Sequence, residues 1–234
     1  MSVQDVSVTT GNGMMSKIFL KGSATDGQWS GNVLTDSIAG QSLGILIPNA
    51  VLSFAQAEYA SGCMAYRIQN AQTLAVSVRG FANKAGENCK TTSQIGSVRI
   101  SPNDILTVFP QPLNAAANTS NVLAWVETTK GTELMTASAA DSTATALVTA
   151  INSQSLGDAF FNSVLRCVKV QVEDGAKLDS VQVIDEMGGV VMTIQGGYRG
   201  ATGSSRSNIY NLYADGLGVA IGKGWSLKVI TVAA

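Results

Sequence analysis

Apolar and polar residues alternate through much of this chain, most regularly between residues 168 and 195, "VKVQVEDGAKLDSVQVIDEMGGVVMTIQ". Val168, Val170 and Val172 fall on one face of a strand, and Asp174-Gly175 follows as a turn. Val181 and Val183 share a face of the next strand. Glu186-Met187-Gly188-Gly189 turns the chain again, and Val190, Met192 and Ile194 share a face of a third. The pattern predicts a three-stranded antiparallel meander with its polar residues outward. Period-two alternation also marks a strand over 73–82, carried by Leu74, Val76 and Val78. Two strands flank a Pro-Asn-Asp turn within 96–110, and two more within 121–137 meet at Thr129-Lys130-Gly131. Near the end, Trp225, Leu227 and Val229 alternate with Ser226 and Lys228, a strand expected to lie within a sheet or an interface.

Helical spacing is rarer. In "DSTATALVTAIN", Asp141 or Ser142 is placed to cap, and Ala144, Leu147, Val148 and Ile151 fall on one stripe. "GILIPNAVLSFAQAEYASG", 44–62, reads as a strand that becomes a short helix after Pro48. Asn49 is its cap, Val51, Leu52, Ala55 and Tyr59 its stripe, and Gly62 its stop. Strands outnumber helices and no βαβ rhythm appears. The expected fold is mainly β: an antiparallel β-sandwich, jelly-roll-like or Greek key, with one or two short helices.

Residues 1–42 are polar and rich in Gly, Ser and Thr, with short apolar islands at Val3/Val6/Val8 and Ile18-Phe19-Leu20. They read as an extended arm with short strands laid over another subunit, or equally as edge strands of the same domain. Residues 43–234 form the sandwich body, with a sub-boundary admitted near 110–121. The first residues show no basic region followed by an apolar stretch, as a secretory signal requires, and no apolar run is long enough to cross a bilayer.

Charge changes the picture most. Only 13% of the 234 residues are charged, against 45% hydrophobic, and the net charge is −1. Soluble domains usually carry about twice that charged share. No basic field exists to attract nucleic acid. A surface left to Ser, Thr, Asn, Gln and Gly suits a protein packed against neighbours.

The chain has no histidine. That removes Ser-His-Asp and Cys-His nucleophile systems and the HExxH zinc site. Carboxylate, Lys, Tyr or Cys chemistry survives. Asp174, Asp179, Asp185 and Glu186 are the acids that a carboxylate-based glycoside hydrolase or a calcium site would draw on. Their turn and strand-end positions favour a framework role. "GGYRGATG", 196–203, imitates a nucleotide loop, yet no helix pattern or Lys-Ser/Thr pair follows it, so it reads as an inter-strand loop. Arg199 and Arg206 in and beside that loop are candidates to contact a partner. Tyr198 is the aromatic most expected at the surface, and Trp29 is a candidate anchor for a neighbour's pocket, whereas Trp125 and Trp225 are expected in the core. Cys63, Cys89 and Cys167 are odd in number and widely spaced, expected as buried thiols, with a Cys63–Cys89 pair left open. No cofactor and no metal site is expected.

A polar Gly/Ser/Thr arm, a histidine-free body of low charge, short strands with Asp-Gly and Gly-Gly turns, and the closing "SLKVITVAA" resemble virion structural proteins of tailed bacteriophages. Capsid decoration, or cement, proteins are the nearest type, and tail or fibre components the next. The resemblance is one of composition and layout, with no motif to carry residues over. It implies a β-rich homo-oligomer, often a trimer, that binds the major capsid protein or other virion proteins and braces the shell. The fibre alternative implies a receptor- or carbohydrate-binding role through Tyr198 or Trp29.

Overall fold

The computed structural model describes residues 3–9, 15–21, 32–35, 39–59, 62–81, 83–84, 93–111, 114–173, 175–196, 209–213 and 218–233. The fold is mainly β, of the antiparallel sandwich class, with two short helices among the described residues. The chain divides into two compact units, Met1–Gln111 and Pro112–Ala234.

The first unit contains β1 (Val3–Thr9), β2 (Met15–Lys21), β3 (Asn32–Leu34), α1 (Leu43–Leu46), β4 (Val51–Tyr59), β5 (Cys63–Asn70), β6 (Val76–Phe81), β7 (Asn83–Lys84), β8 (Ser93–Arg99) and β9 (Asp104–Gln111). One sheet runs β2-β1-β4-β7, with β8 also on β4; the other runs β3-β9-β5-β6. A single cluster joins them. Leu52 of β4, with Val98 of β8 against it, meets Met64, Tyr66 and Ile68 of β5, Val78 of β6, and Leu106 and Val108 of β9. Both β1 and β2 belong to this sheet of their own chain.

Helix and strand are exchanged over 43–59 relative to the sequence expectation. The apolar start is α1, and the expected helix is β4. Asn49 has φ 63, a left-handed conformation that an N-cap does not adopt, and its N–H donates to the Ile100 carbonyl at 2.9 Å. Residues 51–59 then find partners on both sides in β1 and β8, and ladder hydrogen bonds outweigh a marginal isolated helix. Gly44 lets α1 settle on the next turn: a Cβ there would stand 2.4 Å from the Ser101 carbonyl oxygen.

The turn expected within 96–110 exists, but β8 and β9 do not pair with each other. β8 joins β4, and β9 lies between β3 and β5. Asp104 ties this turn to its neighbour. Its Oδ2 accepts from the Ser101 N–H at 2.8 Å, and its Oδ1 from Asn70 Nδ2 at 3.2 Å. Asn70 Oδ1 in turn accepts from the Gln72 and Thr73 N–H groups, both at 3.0 Å. Leu74 follows with φ 61 and is 66% exposed, so it leaves the strand face it was expected to share with Val78, which is buried. Its N–H donates to the Asn70 carbonyl and its own carbonyl accepts from Gln69 Nε2, both at 2.9 Å. A leucine held left-handed stores roughly 1–2 kcal/mol. Leu74→Gly is therefore expected to raise unfolding free energy by about 1 kcal/mol in denaturant titration, despite the loss of an apolar side chain.

The second unit contains β10 (Thr119–Thr128), β11 (Gly131–Ala140), β12 (Thr145–Thr149), α2 (Leu156–Phe160), β13 (Val164–Val172), β14 (Ala176–Ile184), β15 (Val190–Gln195), β16 (Ile209–Tyr213), β17 (Val219–Ala220) and β18 (Ser226–Ala233). They form one nine-stranded sheet, ordered β15-β14-β18-β12-β11-β10-β13-β16, with β17 also on β13. Strands β10, β11 and β12 follow one another, and β13 returns beside β10, which is a Greek key. The sheet curls as a half-barrel onto its own core: Val122, Ala124, Val126, Met135, Val168, Val170 and Val172 face Leu178, Val181, Val183, Leu227 and Val229 within one cluster.

Two sequence expectations are corrected here. Residues 141–152 are not a helix; Thr145–Thr149 form β12, with Ser142 at φ 55 before it. Of the helical stripe only Leu147 is buried, and β12 pairs with β11 and β18, so strand pairing wins over spacing. The helix lies further on, at α2, where Ser155 Oγ accepts from the Asp158 N–H at 3.2 Å. The expected meander is also broken. β14 pairs with β15, but β13 lies between β10 and β16, with β10, β11, β12 and β18 separating it from β14. The turn after Val172 is a corner of the curled sheet, with Gly175 at φ 84.

Candidate functional site

The residues offered by the sequence as partner-binding, Trp29, Tyr198, Arg199 and Arg206, lie outside the described residues, as do Asp174 and Cys89. Cys63 and Cys167 are buried, and so is Trp125, while Trp225 packs half-buried against the core.

Of the acids within 179–186, Asp185 serves the backbone. Asp185 Oδ1 accepts from the Met187 N–H at 2.9 Å and the Gly189 N–H at 2.7 Å. Its own N–H donates to the Gly189 carbonyl at 2.9 Å, and the Gly188 N–H to its carbonyl at 3.2 Å. Asp179 Oδ2 accepts from the Ser180 hydroxyl at 2.9 Å, and Glu186 is exposed. A carboxylate oxygen engaged by two backbone donors is positioned to hold a loop. Among the described residues no three acids or cysteines gather as a metal-ion site. Gly196, at the start of the glycine run, has a local reason. A Cβ there would stand 2.4 Å from the Leu178 carbonyl oxygen, and its N–H donates to the Asp179 carbonyl at 2.7 Å.

What the structure brings together instead is the hairpin that Asp185 holds, and the strand that follows. Met187, at its tip, is 87% exposed. Gly188 takes φ 84, and a Cβ on Gly189 would approach Asp185 Oδ2 to 2.8 Å, so the loop is fixed around the carboxylate. The register shifts at the start of β15: Val183 faces Met192 and Ile184 faces Val190, leaving Val191 as the extra residue of a β-bulge. The bulge separates Val190 from the face of Met192 and Ile194 that the alternation assigned to all three. Met192 and Ile194 pack on the core, while Val190 and Val191 are 56% and 44% exposed.

Neither a protein-family model, nor a curated protein, nor a solved structure is similar to this chain.

β15 pairs with β14 along one side and closes the sheet order at that end. Its other edge has no partner strand among the described residues. Edge strands usually carry a lysine, a proline or an inward charge that discourages further pairing. The segment "VVMTIQ" carries none of these. The bulge is its one protective device, and it lies at one end. The sequence held a signal for this site in Met187: a large apolar residue in a turn otherwise made of acid and glycine has no local burial to gain.

Proposed function

We propose that this chain is a non-enzymatic structural subunit that acts by joining neighbours in an assembly, and that the assembly is a virus particle which it braces as a capsid decoration protein. The observation that carries the assembly reading is the exposed apolar group Met187, Val190 and Val191, on a hairpin that Asp185 ties together. Interfaces lack charge at their centres and use apolar and methionine side chains there, and a protein of 13% charged residues has little else to offer a partner. Asp185, one of the two acids beside this edge, is committed to its turn. Within assembly proteins, the decoration role rests on the resemblance in composition and layout.

The test is sedimentation. Particles prepared without the chain, mixed with purified protein, are expected to carry it down to saturation, at a fixed number of copies per particle, and to resist heat better afterwards. No co-sedimentation, together with unchanged particle stability, overturns the reading.

A further inference from the structure

Building on the assembly reading, we propose that β15 is a self-pairing edge: two copies of the chain join their β15 strands antiparallel about a two-fold axis, making one sheet continuous across both. The side of β15 with no partner strand among the described residues presents backbone N–H and C=O groups whose natural complement is another strand. A second β15 supplies one of equal length, without charge or proline, and with exposed valines of its own.

Charge decides the direction. Asp185 and Glu186 stand at one end of the strand only. Parallel pairing would set the two acidic hairpins side by side. Antiparallel pairing sends them to opposite ends, roughly 15–20 Å apart for six residues at about 3.3 Å each. An antiparallel pair related by a two-fold is also isologous, so the seam closes and does not grow into a fibre.

Backbone geometry restricts the register. Neighbouring residues on a strand aim their hydrogen-bonding groups to opposite sides, so a residue cannot stand opposite its own sequence neighbour in such a pair. The axis must pass through a residue, Met192 or Thr193. Centring on Met192 sets Val191 against Thr193 and Met192 against itself, with Val190 beyond the bulge and outside the regular ladder. Those are apolar or β-branched matches throughout. Centring on Thr193 would set Val191 against Gln195. The Met192 register is therefore assigned. Such a seam joins copies in pairs, and a trimer would need a second surface.

Val191 and Thr193 are exposed, and in the assigned register they oppose each other from the two copies. The double substitution Val191→Lys, Thr193→Lys sets four lysines together across the seam and leaves the core residues Met192 and Ile194 in place. Gln154→Lys adds a lysine at an exposed loop position elsewhere in the unit. Analytical ultracentrifugation of the full chain is expected to show a concentration-dependent dimer for the wild type and for Gln154→Lys. The double variant, with unchanged circular dichroism, is expected to show a self-association Kd raised by about 100-fold or more. A wild type that stays monomeric at high concentration overturns the proposal, as does a double variant that dimerises like the wild type. The outcomes separate from those for assembly: a monomer that still sediments with particles removes the seam alone, and a dimer that ignores every particle removes the decoration role alone.

Discussion

Trp125→Ala is expected to lower the unfolding free energy by about 3–5 kcal/mol, the usual cost of deleting a fully buried large aromatic side chain. Trp125 is 0% exposed. It does not belong to the core cluster of its unit, because Val122, Ala124 and Val126 occupy the inner face of β10 and alternation sends Leu123 and Trp125 to the other. That second face is buried too, with Leu134 of β11 and Lys169 of β13 opposite Trp125 in the ladder. An indole removes roughly 200 Å² from water, an upper bound of about 5 kcal/mol at 25 cal/mol per Å² because the unfolded chain already buries part of that area. Trp125→Phe fills most of that volume and is expected to cost about 1–2 kcal/mol. Chemical denaturation followed by circular dichroism measures both. A loss below 1 kcal/mol for the alanine variant would show that the second face of β10 is not closed.

Glu173→Ala has the next largest expected effect, about 3 kcal/mol. Glu173 is 5% exposed at the corner between β13 and β14. Its Oε2 accepts from the Asn114 N–H at 3.0 Å and the Asn121 N–H at 2.9 Å, and its backbone N–H donates to the Asn121 carbonyl at 3.0 Å. Hydrogen bonds to a charged acceptor contribute roughly 1.5–3 kcal/mol each. The relief of an incompletely solvated carboxylate offsets part of that, so the net is nearer one bond than two. Truncation also takes the acceptor away from two backbone donors, one of them on a buried residue. Glu173→Gln keeps an oxygen in place without the charge and is expected to cost about half as much. The Asn114 and Asn121 amides report the change directly: in the alanine variant their hydrogen exchange is expected to quicken by about 10- to 100-fold. Unchanged exchange at both amides would sink this account of the corner.

The hairpin at Thr129-Lys130 was legible because its signal is local. A short turn between two apolar runs meets its partner strand at once, and Thr128 does stand opposite Gly131. The faces of β13, β14 and β18 were legible for the same reason, since period two fixes which side chains share a side whatever the neighbour is. Neighbour choice was not. "VEDGAK" looks like a hairpin turn, yet it joins strands with four others between them, because the curled sheet brings both onto one core. Nor was the exchange of helix for strand over 43–59 and at β12. Val51, Leu52, Ala55 and Tyr59 fit a helical stripe as well as they fit a strand, and a five-residue segment such as Thr145–Thr149 has too little local preference to resist two waiting edges.

The candidate site divides in the same way. Asp185 ahead of Glu186-Met187-Gly188-Gly189 marks a tight loop from residue types alone. The exposure of Val190 does not follow from those types, because a bulge lies in the pairing of two strands and in neither strand by itself.

Composition and alternation by themselves determined that this chain builds antiparallel sheets, carries little charge to its surface, and lacks the imidazole on which many enzyme mechanisms depend. Those are properties of single residues and of a period of two, and no long-range contact can alter them. Tertiary structure decided which strands meet, where the two short helices among the described residues lie, and that β15 pairs with β14 alone among the described strands. Each of these depends on partners far away in sequence, whose hydrogen bonds and burial outweigh the weak preferences of any one segment.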